Sequence, residues 1–239
     1  MATPEPWLAA SHGPLTEVAA GLWIVDADLP DLPIGRRMTL WRTSDGGLAA
    51  HSAVACAPET MAAIDALGPV RWIVVPSGFH RLDAPRWKAR YPEARVVAMP
   101  ASRARVAARV AVDGDYHLLP RGGAVEWAAL AGVPSEAVFI HRGDDQRETL
   151  VFNDGFMNLP DRLPGVKGWV MKLIGSTGGP KVTWTARTFI VKDRRAYADH
   201  LRQLAARPGL ARIIPGHGAV LVDGAAAALA GAADRLHRP

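Results

Sequence analysis

The chain has 239 residues, 49% of them hydrophobic, enough for a sizeable core, and its single cysteine, Cys56, rules out an internal disulfide and a multi-cysteine zinc cluster. No apolar run approaches the roughly 20 residues that cross a bilayer, and Met1 to Glu17 lacks the basic-then-apolar order of a secretory signal, so the expectation is a cytoplasmic protein with no membrane partner. The formal charge of +5 is carried mostly by arginine; its densest patch, Arg103, Arg105 and Arg109, has no aromatic residues interleaved and reads as a solvated helix face rather than a nucleic-acid site.

In chain order, Gly21 to Asp26 reads as a strand. Met38 to Thr43 and Leu48 to Ala55 follow as a pair, joined by the tight turn Ser44-Asp-Gly-Gly47. The period then changes: Pro58 suits a first helical position, and Met61, Ile64 and Leu67 recur at helical spacing until Gly68. Arg71 to Pro76 is a continuously apolar strand of the buried kind. A helix at about Ala84 to Tyr91, a strand at Ala94 to Met99 and a helix from Ala101 to about Val110 complete the first half.

The second half reopens with strands at Tyr116 to Leu119, Ala124 to Leu130, Ala137 to Arg142 and Thr149 to Asn153, the last two joined by a turn at Gly143 to Arg147. The Gly- and Pro-rich stretch Leu159 to Pro180 holds a short helix at Trp169 to Ile174. An amphipathic helix at about Asp193 to Ala206 places Tyr197, Leu201 and Leu204 on one face. The strand Ala211 to Pro215 and an alanine-rich helix at about Asp223 to Leu236 close the chain. Strands, helices, strands, helices is the order of two sheets packed face to face with helices outside both. No linker separates two cores, so a single domain is expected. The glycine cluster Gly175 to Lys181 lacks the spacing and the preceding strand of a phosphate loop.

Three apolar strands run out directly into ligand-capable residues: Val75-Pro-Ser-Gly-Phe-His80-Arg-Leu-Asp83, Leu150-Val-Phe-Asn-Asp154-Gly, and Ile213-Ile-Pro-Gly-His217-Gly218. Strand ends in an α/β fold converge on one edge, and imidazole and carboxylate are ligands for zinc, iron or manganese. A histidine between two glycines makes little sense as packing. Elsewhere, His141 on its strand reads as structural. His51 and Cys56, five apart on a strand, face opposite ways and make no nucleophile pair. No Gly-x-Ser-x-Gly elbow is present.

The order of strand pair, His-bearing loop, strand ending in Asp and late Pro-Gly-His-Gly resembles the metallo-β-lactamase superfamily over about residues 21–236. His51-Ser-Ala-Val54, Val75 to His80 and Tyr91-Pro-Glu-Ala94 more specifically resemble a branch of it with a degenerate metal motif. The resemblance implies a four-layer αβ/βα sandwich, two mixed β-sheets flanked by helices, with one or two metals at the sheet edge. Laid on the family's His-x-His-x-Asp-His motif, Gly78 and His80 take the two histidine positions, Leu82 the aspartate and Asp83 the last histidine. The third-histidine position falls on Gly132, the bridging aspartate on Asp154 and the final histidine on His217.

The expected metal set is therefore His80, Asp154 and His217, with Asp83 as a fourth, holding one divalent metal (zinc, iron or manganese) or none. The aspartate that would orient the attacking water is replaced by Leu82. Three readings follow: a metal-dependent hydrolase with a reduced, mononuclear site; a non-catalytic descendant that binds a small molecule or partner in the old cleft; and, least favoured, a nucleic-acid enzyme. The first two give the expected partner as a small-molecule substrate or ligand. Oligomeric state is left open, and specificity is assigned to the loops Leu159 to Pro180 and Asp26 to Arg37.

Overall fold

A computed structural model describes residues 5–237 as two compact units: residues 5–28 with 37–126, and residues 29–36 with 127–237. The first unit is built on a six-stranded sheet in sequential order. It contains β1 (Thr16–Ala19), β2 (Leu22–Asp28), β3 (Gly35–Arg42), β4 (Leu48–His51), β5 (Val70–Val75) and β6 (Arg95–Ala98). The β3–β4 pair is antiparallel, whereas β4–β5 and β5–β6 are parallel. Each parallel step needs a crossover, and α1 (Pro58–Leu67) and α2 (Ala84–Arg90) supply the two; α3 (Pro100–Ala107) follows β6.

Local chemistry fixes these elements. In the β3–β4 turn, Asp45 Oδ1 accepts from the Gly47 N–H at 3.1 Å while Gly46 takes φ 77°. Pro58 opens α1, and Met61 and Ile64 are its buried apolar residues. The core of this unit gathers Val25, Met38, Leu40, Ile73, Val75 and Trp87 around them. Trp87 is fully buried, and its indole N–H donates to the Val54 carbonyl at 2.8 Å.

The second unit has a four-stranded sheet in the order β12-β9-β8-β7. Its strands are β7 (Val125–Ala129), β8 (Ala137–Arg142), β9 (Glu148–Val151) and β12 (Leu210–Ile214). The hairpin β8–β9 is antiparallel and β9–β12 parallel. Between them lie a two-stranded pair, β10 (Met157–Leu159) with β11 (Gly179–Lys181), and the helices α4 (Gly165–Leu173), α5 (Trp184–Phe189) and α6 (Arg194–Ala205); α7 (Ala225–His237) ends the chain. Asp193 caps α6 by accepting from the Ala196 N–H at 2.9 Å. Tyr197, Ala198, Leu201 and Leu204 are its buried face, as its periodicity predicts, and α6 packs against α7. Among the described residues no helix is long and apolar enough to cross a membrane.

Several expectations change on contact with the structure. Tyr116 to Leu119 is not a strand but a single 3-10 turn at Tyr116–Leu118, because the Asp115 side chain accepts from the His117 N–H at 2.9 Å and curls the backbone. Tyr116 is buried there, its hydroxyl donating to the Val75 carbonyl at 3.2 Å. The strand expected to reach Ala55 ends at His51, since Ser52 takes φ 56°, outside the strand region. The helix expected from Trp169 begins four residues earlier, at Gly165, and β1, β10, β11 and α5 had no signal in the periodicity.

One ion cluster ties the second unit together. The buried Glu148 carboxylate accepts from Arg142 Nη2 at 2.9 Å and from Arg207 Nη2 at 2.8 Å, with Arg207 Nε on its other oxygen. The Arg207 hydrogen bonds, and then those of Arg142, hold this carboxyl below the usual carboxylate range although burial pushes it up. A depressed folded-state value means stability that is present above the unfolded value, about 4.3, and lost as pH falls through the folded one. Glu148→Gln should lower stability at neutral pH by about 1–2 kcal/mol, measured by urea denaturation. The gap between variant and wild type should close as pH falls into the acid range; a gap that persists there would contradict the ion-pair account.

Candidate metal centre

The parallel pairing of β9 and β12 sets the geometry in the second unit. Val151 is registered with Ile214, and three residues beyond each lie Asp154 and His217. Two parallel neighbours end on the same edge, so the two side chains meet: His217 Nε2 lies 3.1 Å from Asp154 Oδ1, with both residues about 95% buried (4% and 5% exposed).

The glycines around His217 are steric requirements. A Cβ on Gly216 would come within 3.1 Å of Asn153 Oδ1 and 3.2 Å of its Cα. Gly218 takes φ 87°, and a Cβ there would lie 2.0 Å from the Asn158 carbonyl oxygen. That close approach lets Asn158 N–H donate to His217 O at 3.2 Å and Ala219 N–H to Asn158 O at 3.0 Å, which fixes the loop carrying the imidazole.

The other ring nitrogen decides the chemistry. His217 Nδ1 faces the Gly35 carbonyl at 2.6 Å. A carbonyl can only accept, so Nδ1 carries the hydrogen, and in a neutral ring Nε2 then presents a lone pair. That lone pair points at a carboxylate oxygen, which also only accepts. A proton on Nε2 makes the contact an ion pair, and a cation between the two atoms would bridge them.

A second buried acid lies behind the pair. Glu136, fully buried at the start of β8, accepts from the Gly155 N–H at 2.9 Å and from Asn153 Nδ2 at 3.1 Å. Burial first, and the Asp154 charge second, push its carboxyl up to about 8 despite those hydrogen bonds. The buried Tyr197 hydroxyl donates to the Gly155 carbonyl at 2.9 Å, and burial and Glu136 raise it well above its ordinary value. The sequence marks Asn153 only as the end of a strand and Tyr197 only as part of a helix face; Glu136 and the Gly35 carbonyl, which act through burial and the backbone, had no signal.

In the first unit, the loop from β5 to α2 carries His80 and Asp83. His80 is half-buried, with Nδ1 2.8 Å from the Ser52 hydroxyl. Asp83 has a structural role. Its Oδ2 accepts from the Ala55 N–H at 3.1 Å and its Oδ1 pairs with Arg86 at 2.6 Å, at 2% exposure.

The two glycines that the sequence resemblance sets against histidine positions are engaged structurally as well. A Cβ on Gly78 would meet the Arg105 side chain at 2.9 Å. Gly132 has φ 76°, its carbonyl accepts from Lys192 N–H at 2.7 Å, and a Cβ would lie 2.1 Å from the Asp193 oxygen. Cys56 is fully buried, its thiol donating to the Val54 carbonyl at 3.4 Å, and His141 is buried in β8.

Structural comparison places this arrangement among known folds. The chain superposes on metallo-β-lactamase FIM-1 from Pseudomonas aeruginosa in its mono-zinc form with a TM-score of 0.60 at 12% identity, covering 97% of this chain and 98% of that one. For metallo-β-lactamase DIM-1 the TM-score is 0.61 at 10% identity, with 95% and 99% covered. For a HARLDQ-motif mutant of the metallo-β-lactamase from Cronobacter sakazakii it is 0.54 at 18% identity, with 94% of each chain covered. No protein-family model and no curated protein sequence matches. The chain thus has the metallo-β-lactamase fold, as its element order predicts.

Asp83 provides a direct test of the division of labour. Asp83→Ala strands the Ala55 N–H and removes a partner of Arg86, and should cost about 2–3 kcal/mol of stability. Bound metal per folded protein, measured by elemental analysis, should not change. A loss of metal at unchanged stability would restore Asp83 as a ligand.

Proposed function

We propose that the protein is a metal-dependent hydrolase with a reduced, single-metal site whose ligands are His80, Asp154 and His217, a His/Asp/His set of the kind that holds one divalent ion. The observation that carries this reading is the buried pairing of His217 Nε2 with Asp154 Oδ1 in the second unit, two ligand atoms that one cation would bridge. Their 3.1 Å separation is within what two ligands about 2.0–2.2 Å from one ion span. The Gly35 carbonyl on His217 Nδ1 supports the same reading, because a metal-binding histidine characteristically donates its other N–H to an oxygen that fixes the tautomer. In the first unit, the Ser52 hydroxyl orients the His80 ring through Nδ1.

A metal bound there supplies Lewis acidity and a water acidified toward neutral pH. The protein's own residues hold the ligands in orientation: Gly35 and Ser52 set the two rings, and Asn153 and Gly155 anchor Glu136 behind Asp154. One observation favours the runner-up, a non-catalytic descendant that binds a ligand in the same place. Leu82 stands where a water-orienting aspartate is expected, and the neighbouring Asp83 is engaged with Ala55 and Arg86.

Protein purified without chelator should carry close to one equivalent of zinc, iron or manganese by elemental analysis. His217→Ala, and separately His80→Ala, should each lower occupancy at least tenfold. Occupancy below about a tenth of an equivalent that no added metal restores would overturn the metal site. Full occupancy with no turnover of ester, thioester, amide or phosphodiester probes would favour the binding-only descendant.

A further inference from the structure

We propose that α4 is a docking ridge for an anionic lipid surface, a role independent of the metal centre. The helix is amphipathic in the reverse sense to α6. Val166, Trp169, Val170 and Leu173 recur at i, i+3, i+4 and i+7, which puts them on one face, and they are 79%, 63%, 42% and 70% exposed. Gly168, on the opposite side, is the buried residue of α4; a Cβ there would lie 2.3 Å from the Leu163 carbonyl oxygen. The helix therefore seats on the protein through a glycine and presents its apolar stripe to solvent. Isolated exposed apolar residues are ordinary, but four at helical spacing on a nine-residue helix form a contiguous patch.

The charge of the chain segment that carries the ridge points to the occupant. Between Asp154 and Asp193 the chain holds six cations (Arg162, Lys167, Lys172, Lys181, Arg187 and Lys192) against one acid, Asp161. That net +5 equals the net charge of the whole protein, so the rest of the chain balances to zero. Lys167 and Lys172 flank the apolar stripe; the first donates to the Asp31 carbonyl and the second pairs with Asp161 at 2.6 Å, both exposed. Arg162 lines a shallow depression beside Trp169 and Lys172.

A second copy of the chain fits this surface poorly. A two-fold contact sets a patch against itself, and here that would oppose two excesses of positive charge. A protein partner would need a groove shaped to a convex ridge. A bilayer needs no such shape: its interface accepts Trp, Leu and Val to shallow depth, and its anionic headgroups attract the lysines beside them. Surface association of this kind needs no spanning helix, and among the described residues no helix is long and apolar enough to cross a membrane.

The test is flotation of the full chain with vesicles of phosphatidylcholine, alone or with about one third phosphatidylglycerol. At low salt the wild type should partition at least tenfold more strongly to the anionic vesicles, and added salt should reduce the difference. Trp169→Ser with Leu173→Ser should weaken that binding at least tenfold, with circular dichroism and thermal midpoint unchanged because both side chains lie outside the core. Lys167→Gln with Lys172→Gln should bring anionic vesicles down toward the neutral ones. No binding at low salt, or binding that the Trp169/Leu173 double variant leaves intact, would overturn the proposal. So would self-association in ultracentrifugation that this double variant abolishes while vesicles capture nothing, since the ridge would then be a homotypic interface.

Discussion

The second unit depends on the parallel register of β9 and β12. Once Val151 lies beside Ile214, Asp154 and His217 must leave the sheet at the same edge and the same distance from it. Everything else around them serves that placement. Gly216 lets the chain pass Asn153 closely, Gly218 turns it back against Asn158, and the Gly35 carbonyl fixes the imidazole tautomer. The outcome is a buried histidine–aspartate pair 3.1 Å apart, with a second buried acid, Glu136, anchored behind it.

The positions that the sequence resemblance sets against metal-ligand positions have structural roles in this fold. Gly132 cannot carry a side chain without striking the Asp193 carbonyl at the start of α6. Gly78 is packed under the Arg105 side chain, and Asp83 holds Ala55 and Arg86. A larger side chain at Gly132, or loss of the Asp83 carboxylate, would break contacts that hold α6 and α2 in place.

Two helices of similar origin illustrate how differently one unit uses amphipathicity. In α6 the apolar stripe of Tyr197, Leu201 and Leu204 is buried against the core. In α4 the stripe faces outward and glycine faces in. Sequence periodicity is identical in kind for both, because a stripe at 3.6-residue spacing states that a face is apolar, not which way it points. The segment that carries α4 also carries the net charge of the chain, which separates it chemically from the rest of the surface.

The sequence by itself determined the element order, the fold and three of the segments that matter. Continuous apolar strands ending in ligand-type residues are written locally, and a histidine between two glycines announces a backbone constraint, so Asp154 and His217 could be found without coordinates. Local chemistry also determined α1, α6 and the Asp45 turn. What only the tertiary structure decided are facts that depend on partners distant in sequence. Asp83 looked like a ligand until Ala55 and Arg86 claimed its oxygens, and Tyr116 to Leu119 looked like a strand until Asp115 curled it. Glu136 and the Gly35 carbonyl had no signature at all, because burial and backbone hydrogen bonds belong to the fold rather than to any residue type.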